Sequence, residues 1–311
     1  MFSHSAVSNA LGSASTATIT VPGLQTPLRC LHLSDSHVDV GPDPASGSVE
    51  LCEDMYRWYN TGPFFGGLGN QQMELRGYPL LPLETLADHV ELAVAERVQL
   101  VLHTGDLINF PSPRAAQHAH AMLTSAGLQV LYISGNHDWQ HSPRMSGNAE
   151  ELRDVARVRA LAPLFQGRNP SHWAENINGI LFVGVDNSAM NVADDQLKFF
   201  ENVTAGIAVA VLMVHVPLFV PELLAEGLKD GINDLQPQHM CGGPDADETT
   251  KRFVASVRGC QSLAAVIAGH IHDATAFPLR PDGTLIQYTV DAGCYGGSRI
   301  LDFVPSPMCK L

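Results

Sequence analysis

This chain of 311 residues has no long uninterrupted apolar segment. Its longest run, Ala205 to Val220, is broken by His215 and Pro217 and falls short of the ~20 residues that a helix needs to cross a bilayer. Basic residues are also scarce. Eighteen Lys+Arg against 32 Asp+Glu give a formal net charge of −14, which provides no electrostatic hold on nucleic acid or anionic lipid. Neither a membrane nor a nucleic acid is therefore expected as a partner. The six cysteines (Cys30, Cys52, Cys241, Cys260, Cys294 and Cys309) are far apart and form no CxxC pair, as expected of free thiols in a reducing compartment. Met1 to Thr20 contains no Lys or Arg and no continuous apolar stretch, unlike a secretory signal, and a cytoplasmic location is expected.

With 45% apolar and 16% charged residues, the sequence can build a sizeable core and is not a disordered chain. Residues 1–26, rich in Ser, Ala and Thr, read as a flexible arm ahead of a single domain over 27–311. Within that domain short apolar runs recur: Leu28–Leu33, Gln99–His103, Gln129–Ile133, Ile180–Val185, Ile207–Val214 and Leu263–Ala268. Their Val, Ile and Leu content suits strands buried on both faces. Leu83, Leu86, Ala87, Val90 and Val94 recur at helical spacing, and Arg114–Ser125, Ala149–Ala160 and Asp194–Thr204 are further helix candidates. Such alternation predicts an α/β fold. Three late runs without helices between them (Ala274–Pro278, Leu285–Val290 and Arg299–Phe303) predict partly antiparallel pairing. A long excursion over 38–82, rich in Gly, Pro and aromatics, departs from this rhythm, as does Glu222–Thr250; connections of that length are more often functional than idle.

The residues that follow the apolar runs carry the chemistry. The runs end in Asp35-Ser36-His37, in Gly105-Asp106, in Gly135-Asn136-His137-Asp138, in His215, and in Gly269-His270-Ile271-His272. Ligands of open α/β sheets gather at the carboxyl ends of strands. Imidazoles together with carboxylate and amide oxygens point to transition-metal binding, and no thiolate stands among them. The i, i+2 spacing of Asp35 with His37, and of His270 with His272, puts each pair on one face of an extended segment. The set exceeds what one tetrahedral zinc needs and suits two adjacent ions sharing a carboxylate. The residues alone leave open a protein with a single or purely structural metal, and a non-catalytic metal-binding scaffold.

In order, the motifs Asp-x-His, Gly-Asp, Gly-Asn-His-Asp, His and Gly-His-x-His resemble the calcineurin-like metallophosphoesterase superfamily, over about Leu28 to Phe303. The resemblance implies a sandwich of two mixed β-sheets flanked by helices. It also implies a centre of two divalent transition-metal ions (Fe, Mn, Zn, Co or Ni), with Asp35, His37 and His272 on one ion. Asn136, His215 and His270 would hold the other, and Asp106 would bridge them. His137 would be catalytic near the leaving group, with Asp138 as its carboxylate partner. The implied activity is hydrolysis of a small phosphoester by hydroxide generated at that centre, as a phosphodiesterase or phosphatase.

Departures from subfamilies narrow the expectation. Asn109 stands where purple acid phosphatases have a tyrosine, so no iron–tyrosinate centre is expected. Gly-Asp-Leu-Ile-Asn-Phe lacks the Asp-Arg-Gly that follows the Gly-Asp motif of serine/threonine protein phosphatases, and Asp35 stands where lariat-debranching enzymes have cysteine. Asn109 and Arg299 are candidate phosphate contacts. His103 is a candidate support within its strand, and His141 a candidate for the mouth of the site. The excursion begins directly after His37, and its Tyr56, Trp58 and Tyr59 are candidates for stacking on a planar leaving group such as a nucleobase. The sequence does not indicate an oligomeric state.

Overall fold

The computed structural model describes residues 2–7, 15–46, 49–60, 81–139, 149–226 and 237–306. The strands in chain order are β1 Ser3–Val7, β2 Ser15–Val21, β3 Leu28–Leu33, β4 Leu100–His103, β5 Gln129–Tyr132 and β6 His172–Ile177. They continue as β7 Ile180–Val185, β8 Ala210–Met213, β9 Leu263–Ile267, β10 Ala276–Pro278, β11 Ile286–Tyr288 and β12 Arg299–Pro305. The helices are α1 Val49–Asn60, α2 Pro82–Ala95, α3 Pro113–Ser125, α4 Ala149–Arg159, α5 Ala162–Phe165, α6 Asp194–Thr204, α7 Pro221–Glu226 and α8 Glu248–Gly259.

The strands form two mixed sheets of six, ordered β1-β2-β12-β3-β4-β5 and β10-β11-β9-β8-β7-β6. In the first, β3, β4 and β5 run parallel; in the second, β7, β8, β9 and β11 do. Ile19, Cys30, Leu102 and Phe303 of one sheet meet Phe182, Val211, Met213 and Ile267 of the other in a fully buried core between them. Burying each such large apolar side chain contributes about 1.5–3 kcal/mol. Leu86, Ala116, Ala119 and Leu164 of α2, α3 and α5 cover the outer face of the first sheet, and Leu197, Phe200, Phe253 and Val257 of α6 and α8 cover that of the second. The layers are helix, sheet, sheet, helix, as the resemblance implied.

The helix starts follow local chemistry. Ser112 accepts the Ala115 N–H at 3.1 Å with Pro113 at the first position of α3, and Asp247 accepts the Thr250 N–H at 2.9 Å to begin α8.

Residues 15–21 correct the reading of a flexible arm. They form β2, which lies between β1 and β12 and pairs parallel with β12 from Ser15↔Arg299 to Val21↔Pro305. Ala17, Ile19 and Val21 are wholly buried while Thr16, Thr18 and Thr20 are half-buried, a strand alternation that a Ser/Thr-rich composition conceals. The 38–82 excursion contains a 3₁₀ turn over Pro44–Ser46 and α1. Cys52 of α1 is buried, with its Sγ 3.4 Å from the Gly41 carbonyl oxygen. Tyr56 is half-buried on α1, whereas the side chains of Trp58 and Tyr59, residues 61–80 and His141 lie outside the described residues.

Candidate metal centre

The parallel strands deliver their polar ends to one edge of the sandwich, where the loops bond to one another. Asp35 N–H donates to Gly105 O at 2.9 Å, His37 N–H to Asp106 O at 3.0 Å, and Gly269 N–H to His215 O at 2.9 Å. Glycine permits this approach: a Cβ on Gly105, whose φ is +101°, would sit 2.6 Å from both Gly135 N and His215 Nδ1. Five side-chain-bearing residues here also adopt positive φ: Asp35 (52°), His37 (45°), Asp106 (51°), His270 (69°) and His272 (54°). Each such conformation costs on the order of 1–3 kcal/mol, and clustering of this strain marks functional sites. All five were expected to be ligands.

Three groups of donor atoms, each within 4.8 Å of one another, occupy the edge: Asp35/His37/His272, His37/Asp106/His137 and Asp106/His215/His270. His272 Nε2 lies 3.2 Å from Asp35 Oδ1, a buried oxygen with no other partner among the described residues. His215 Nε2 lies 3.4 Å from Asp106 Oδ2 and 3.1 Å from Asn136 Oδ1. Asp35, His37, Asp106 and His215 form a floor with at most 1% exposure, and Asn136, His137, His270 and His272 form a half-buried rim. Every expected metal ligand is therefore brought to one place, with the rim residues partly exposed among the described residues.

The electrostatics suit cations. Burial disfavours ionisation of Asp35, yet His272 beside it holds the carboxyl well below its usual range; Asp106, likewise buried, is lowered by His215 and His137. Burial would lower His215, but the Asp106 carboxylate raises it to about 10, while burial pushes His37 and His270 down to about 3. Buried anionic oxygens beside the neutral imidazoles of His37 and His270 fit divalent ions of the imidazole-preferring class, and His215 and His272, which the carboxylates favour in the protonated form, would give up that proton to bind one. His215 Nδ1–H donates to Thr104 O at 2.7 Å, which turns Nε2 toward the site.

His103 takes the supporting role expected of it. Its Nδ1 accepts the Gly105 N–H at 3.3 Å, so Nε2–H donates to Ser36 Oγ at 3.0 Å, between the two candidate ligands Asp35 and His37. Burial lowers its pKa to about 3 and keeps it neutral. His137 packs edge-on against His37 with ring centroids 4.8 Å apart, and its N–H donates to Asp106 Oδ1 at 2.7 Å. Burial lowers the His137 pKa, with Asp106 opposing.

Asp138 departs from the expected pairing with His137. It is wholly buried, and its two oxygens accept the N–H groups of Ile108 (2.9 Å) and Gly135 (2.8 Å), which ties the β4 loop to the β5 loop. Burial, then the Asp106 charge, raises it to about 7. Asn109 is also wholly buried; its Nδ2 donates to Asp39 Oδ2 at 3.5 Å and its N–H to Val38 O at 3.1 Å, the geometry of an internal support. Arg299 is only 3% exposed, on β12 between Ser15 and His32, with its guanidinium 5.4 Å above the Tyr288 ring. Burial lowers its pKa to about 10, and it belongs to the sheet interior rather than to the exposed rim.

Sequence reasoning missed Asp186-Asn187-Ser188 at the end of β7. The available signal was three polar residues directly after an apolar run, at a strand end to which no chemistry was assigned.

Comparison with known proteins agrees with this geometry. The family model of the calcineurin-like phosphoesterases matches residues 28–274. Among solved structures, the fold is similar to a dimetal phosphatase from Danio rerio (TM-score 0.52, 14% identity, covering 86% of this chain and 88% of that one). A purple acid phosphatase from yellow lupin aligns with TM-score 0.49 and 14% identity, over 92% of this chain and 47% of that one. A calcineurin-like phosphoesterase from Bacillus subtilis aligns with TM-score 0.45 and 12% identity, over 87% and 83%. Sequence comparison with curated proteins gives no match. The chain belongs to the calcineurin-like phosphoesterase family, and its class is that of phosphoric ester hydrolases.

Proposed function

We propose that the chain hydrolyses a small or nucleotide-like phosphoester, as a phosphodiesterase or phosphatase, at a centre of two divalent ions from the Fe, Mn, Zn, Co and Ni group. The observation that carries this reading is the shared carboxylate. Asp106 belongs to two of the three donor groups, with His37 on one side and His215 and His270 on the other. Asp35, His37 and His272 would hold one ion, Asn136, His215 and His270 the other, and Asp106 both. Such ions, when bound, supply charge neutralisation at the phosphate and a nucleophilic hydroxide near neutral pH.

The remaining chemistry falls to the protein. His137, half-buried at the rim beside His37, would in its protonated form pass a proton from its ring to the departing oxygen. Asp138 keeps the β5 loop that carries His137 against the β4 loop, through the Gly135 and Ile108 N–H groups. The open rim gives the substrate its approach. Tyr56, Trp58 and Tyr59, on the helix that follows the loop from His37, are proposed to face a planar leaving group. Retention of every expected ligand argues against a non-catalytic scaffold.

The test is hydrolysis of a panel of aryl and nucleotide mono- and diesters by the Mn²⁺-loaded protein. Turnover that a chelator abolishes and Mn²⁺ restores is expected. Absence of turnover on every ester with metal bound would overturn the reading.

A further inference from the structure

Asn136 and His215 are drawn from different sheets, the first after β5 and the second after β8, yet Asn136 Oδ1 and His215 Nε2 stand 3.1 Å apart. Both are referenced to the Asp186-Asn187-Ser188 turn after β7, whose residues are 0%, 0% and 2% exposed. Asn187 Oδ1 accepts the N–H groups of His215 (3.1 Å) and Val216 (2.9 Å), and its Nδ2 donates to Val216 O at 2.7 Å. One side chain thereby fixes the backbone on both sides of the His215 Cα. Asp186 Oδ2 accepts from Ser134 Oγ (2.8 Å), immediately before Gly135, and from Arg157 Nη2 of α4 (2.5 Å). Ser188 Oγ donates to Asp186 Oδ1 at 2.5 Å and accepts from Trp139 Nε1 at 2.8 Å. The Gly135-Asn136-His137-Asp138 loop is thus anchored at Ser134 on one end and at Trp139 on the other.

We infer that this turn is a positioning clamp that sets Asn136 against His215 and thereby the affinity for the second ion, while leaving the first largely untouched. The inference rests on the dinuclear reading above. An amide oxygen is a weak neutral donor, so its contribution depends on being held within about 0.5 Å of its place. The ligands of the first ion take their positions elsewhere. Asp35 and His37 bond through their N–H groups to Gly105 O and Asp106 O, and Cys294 N–H donates to Asp35 O at 3.0 Å. Loss of a partner that orients a ligand typically costs about 10–100-fold in metal affinity, and here the loss should be confined to one ion.

The experiment is calorimetric titration of the full chain with Mn²⁺, in two backgrounds that isolate each ion. His272→Ala leaves the second site, and His270→Ala leaves the first. Asn187→Ala is expected to weaken Mn²⁺ binding about 10–100-fold in the His272→Ala background and less than about twofold in the other. Asn187→Asp, which keeps the acceptor for both N–H groups, should recover part of that loss. Ser188→Ala removes the link to Trp139 and the hydroxyl bond to Asp186 while leaving Asn187 in place; it should show the same selectivity at smaller size and serves where Asn187→Ala fails to fold. Equal affinity in both backgrounds, or an equal loss in both, would overturn the clamp. If the chain without any substitution binds a single Mn²⁺, the dinuclear reading falls and takes the clamp with it. Two ions bound with a second site indifferent to Asn187 and Ser188 would remove the clamp alone.

Discussion

The Nδ1 of His215 donates to the main-chain oxygen of Thr104 across 2.7 Å, and this bond joins the two sheets at the candidate centre. Thr104 follows β4 of the first sheet and His215 follows β8 of the second. The bond fixes one tautomer, with Nε2 facing Asp106 and Asn136. Neither sheet alone could build this geometry, and the wholly buried core between the sheets keeps it rigid.

In the proposed centre Asp106 is the residue shared by the two ions. Asp106→Asn removes the negative charge between two sites that would hold mutually repelling cations. The variant is expected to fold, to lose at least one metal ion, and to lose nearly all hydrolysis. Elemental analysis beside circular dichroism checks this; full metal content with undiminished turnover would contradict it.

His137 separates proton transfer from metal binding. His137→Ala is expected to keep its metal while losing about 10²–10⁴-fold in kcat, the usual contribution of a placed acid. The loss should be largest for esters with poor, high-pKa leaving groups and smaller for nitrophenyl esters. Equal loss on both would assign the ring to orienting phosphate instead.

The strand ends were legible in the sequence because each apolar run stops at a motif with a distinct side-chain set, and all the expected ligands meet at one edge. The helix-sheet-sheet-helix layering followed from the same motifs through the family resemblance. Other features were hidden for physical reasons. β2 was hidden because threonine looks like linker composition until its period-two alternation with Ala17, Ile19 and Val21 is noticed. Asp138 was misread because adjacency to His137 in sequence does not reveal that its oxygens meet the N–H groups of Ile108 and Gly135. Arg299 was read as a candidate phosphate contact because the parallel pairing of β12 with β2, beside which it is buried, depends on a strand that composition concealed.

The central place of β2 has a thermodynamic consequence. Ile19 is wholly buried in the core between the sheets. Ile19→Ala is expected to cost about 2–5 kcal/mol of unfolding free energy in urea. A flexible arm would give no measurable change.

His32 supplies a pH signature of the fold. Its Nε2–H donates to Thr104 Oγ1 at 2.9 Å, and burial, aided by Arg299, lowers its pKa from 6.5 to about 3. The folded state therefore holds a neutral ring where the unfolded chain takes up a proton. The stability this provides is present above pH 6.5 and is lost progressively as pH falls from 6.5 towards 3. His32→Gln cannot titrate, and it should lose about 2 kcal/mol less than the unsubstituted protein between pH 7 and pH 5. Parallel losses in urea unfolding at the two pH values would contradict the assignment.

The central claim, two ions sharing Asp106, is tested most directly by the metal-to-protein ratio of the full chain after equilibration with Mn²⁺ and removal of unbound ion. The account expects two equivalents in the unsubstituted protein and no more than one in Asp106→Asn. A single equivalent in the unsubstituted protein, or two in both, would contradict it.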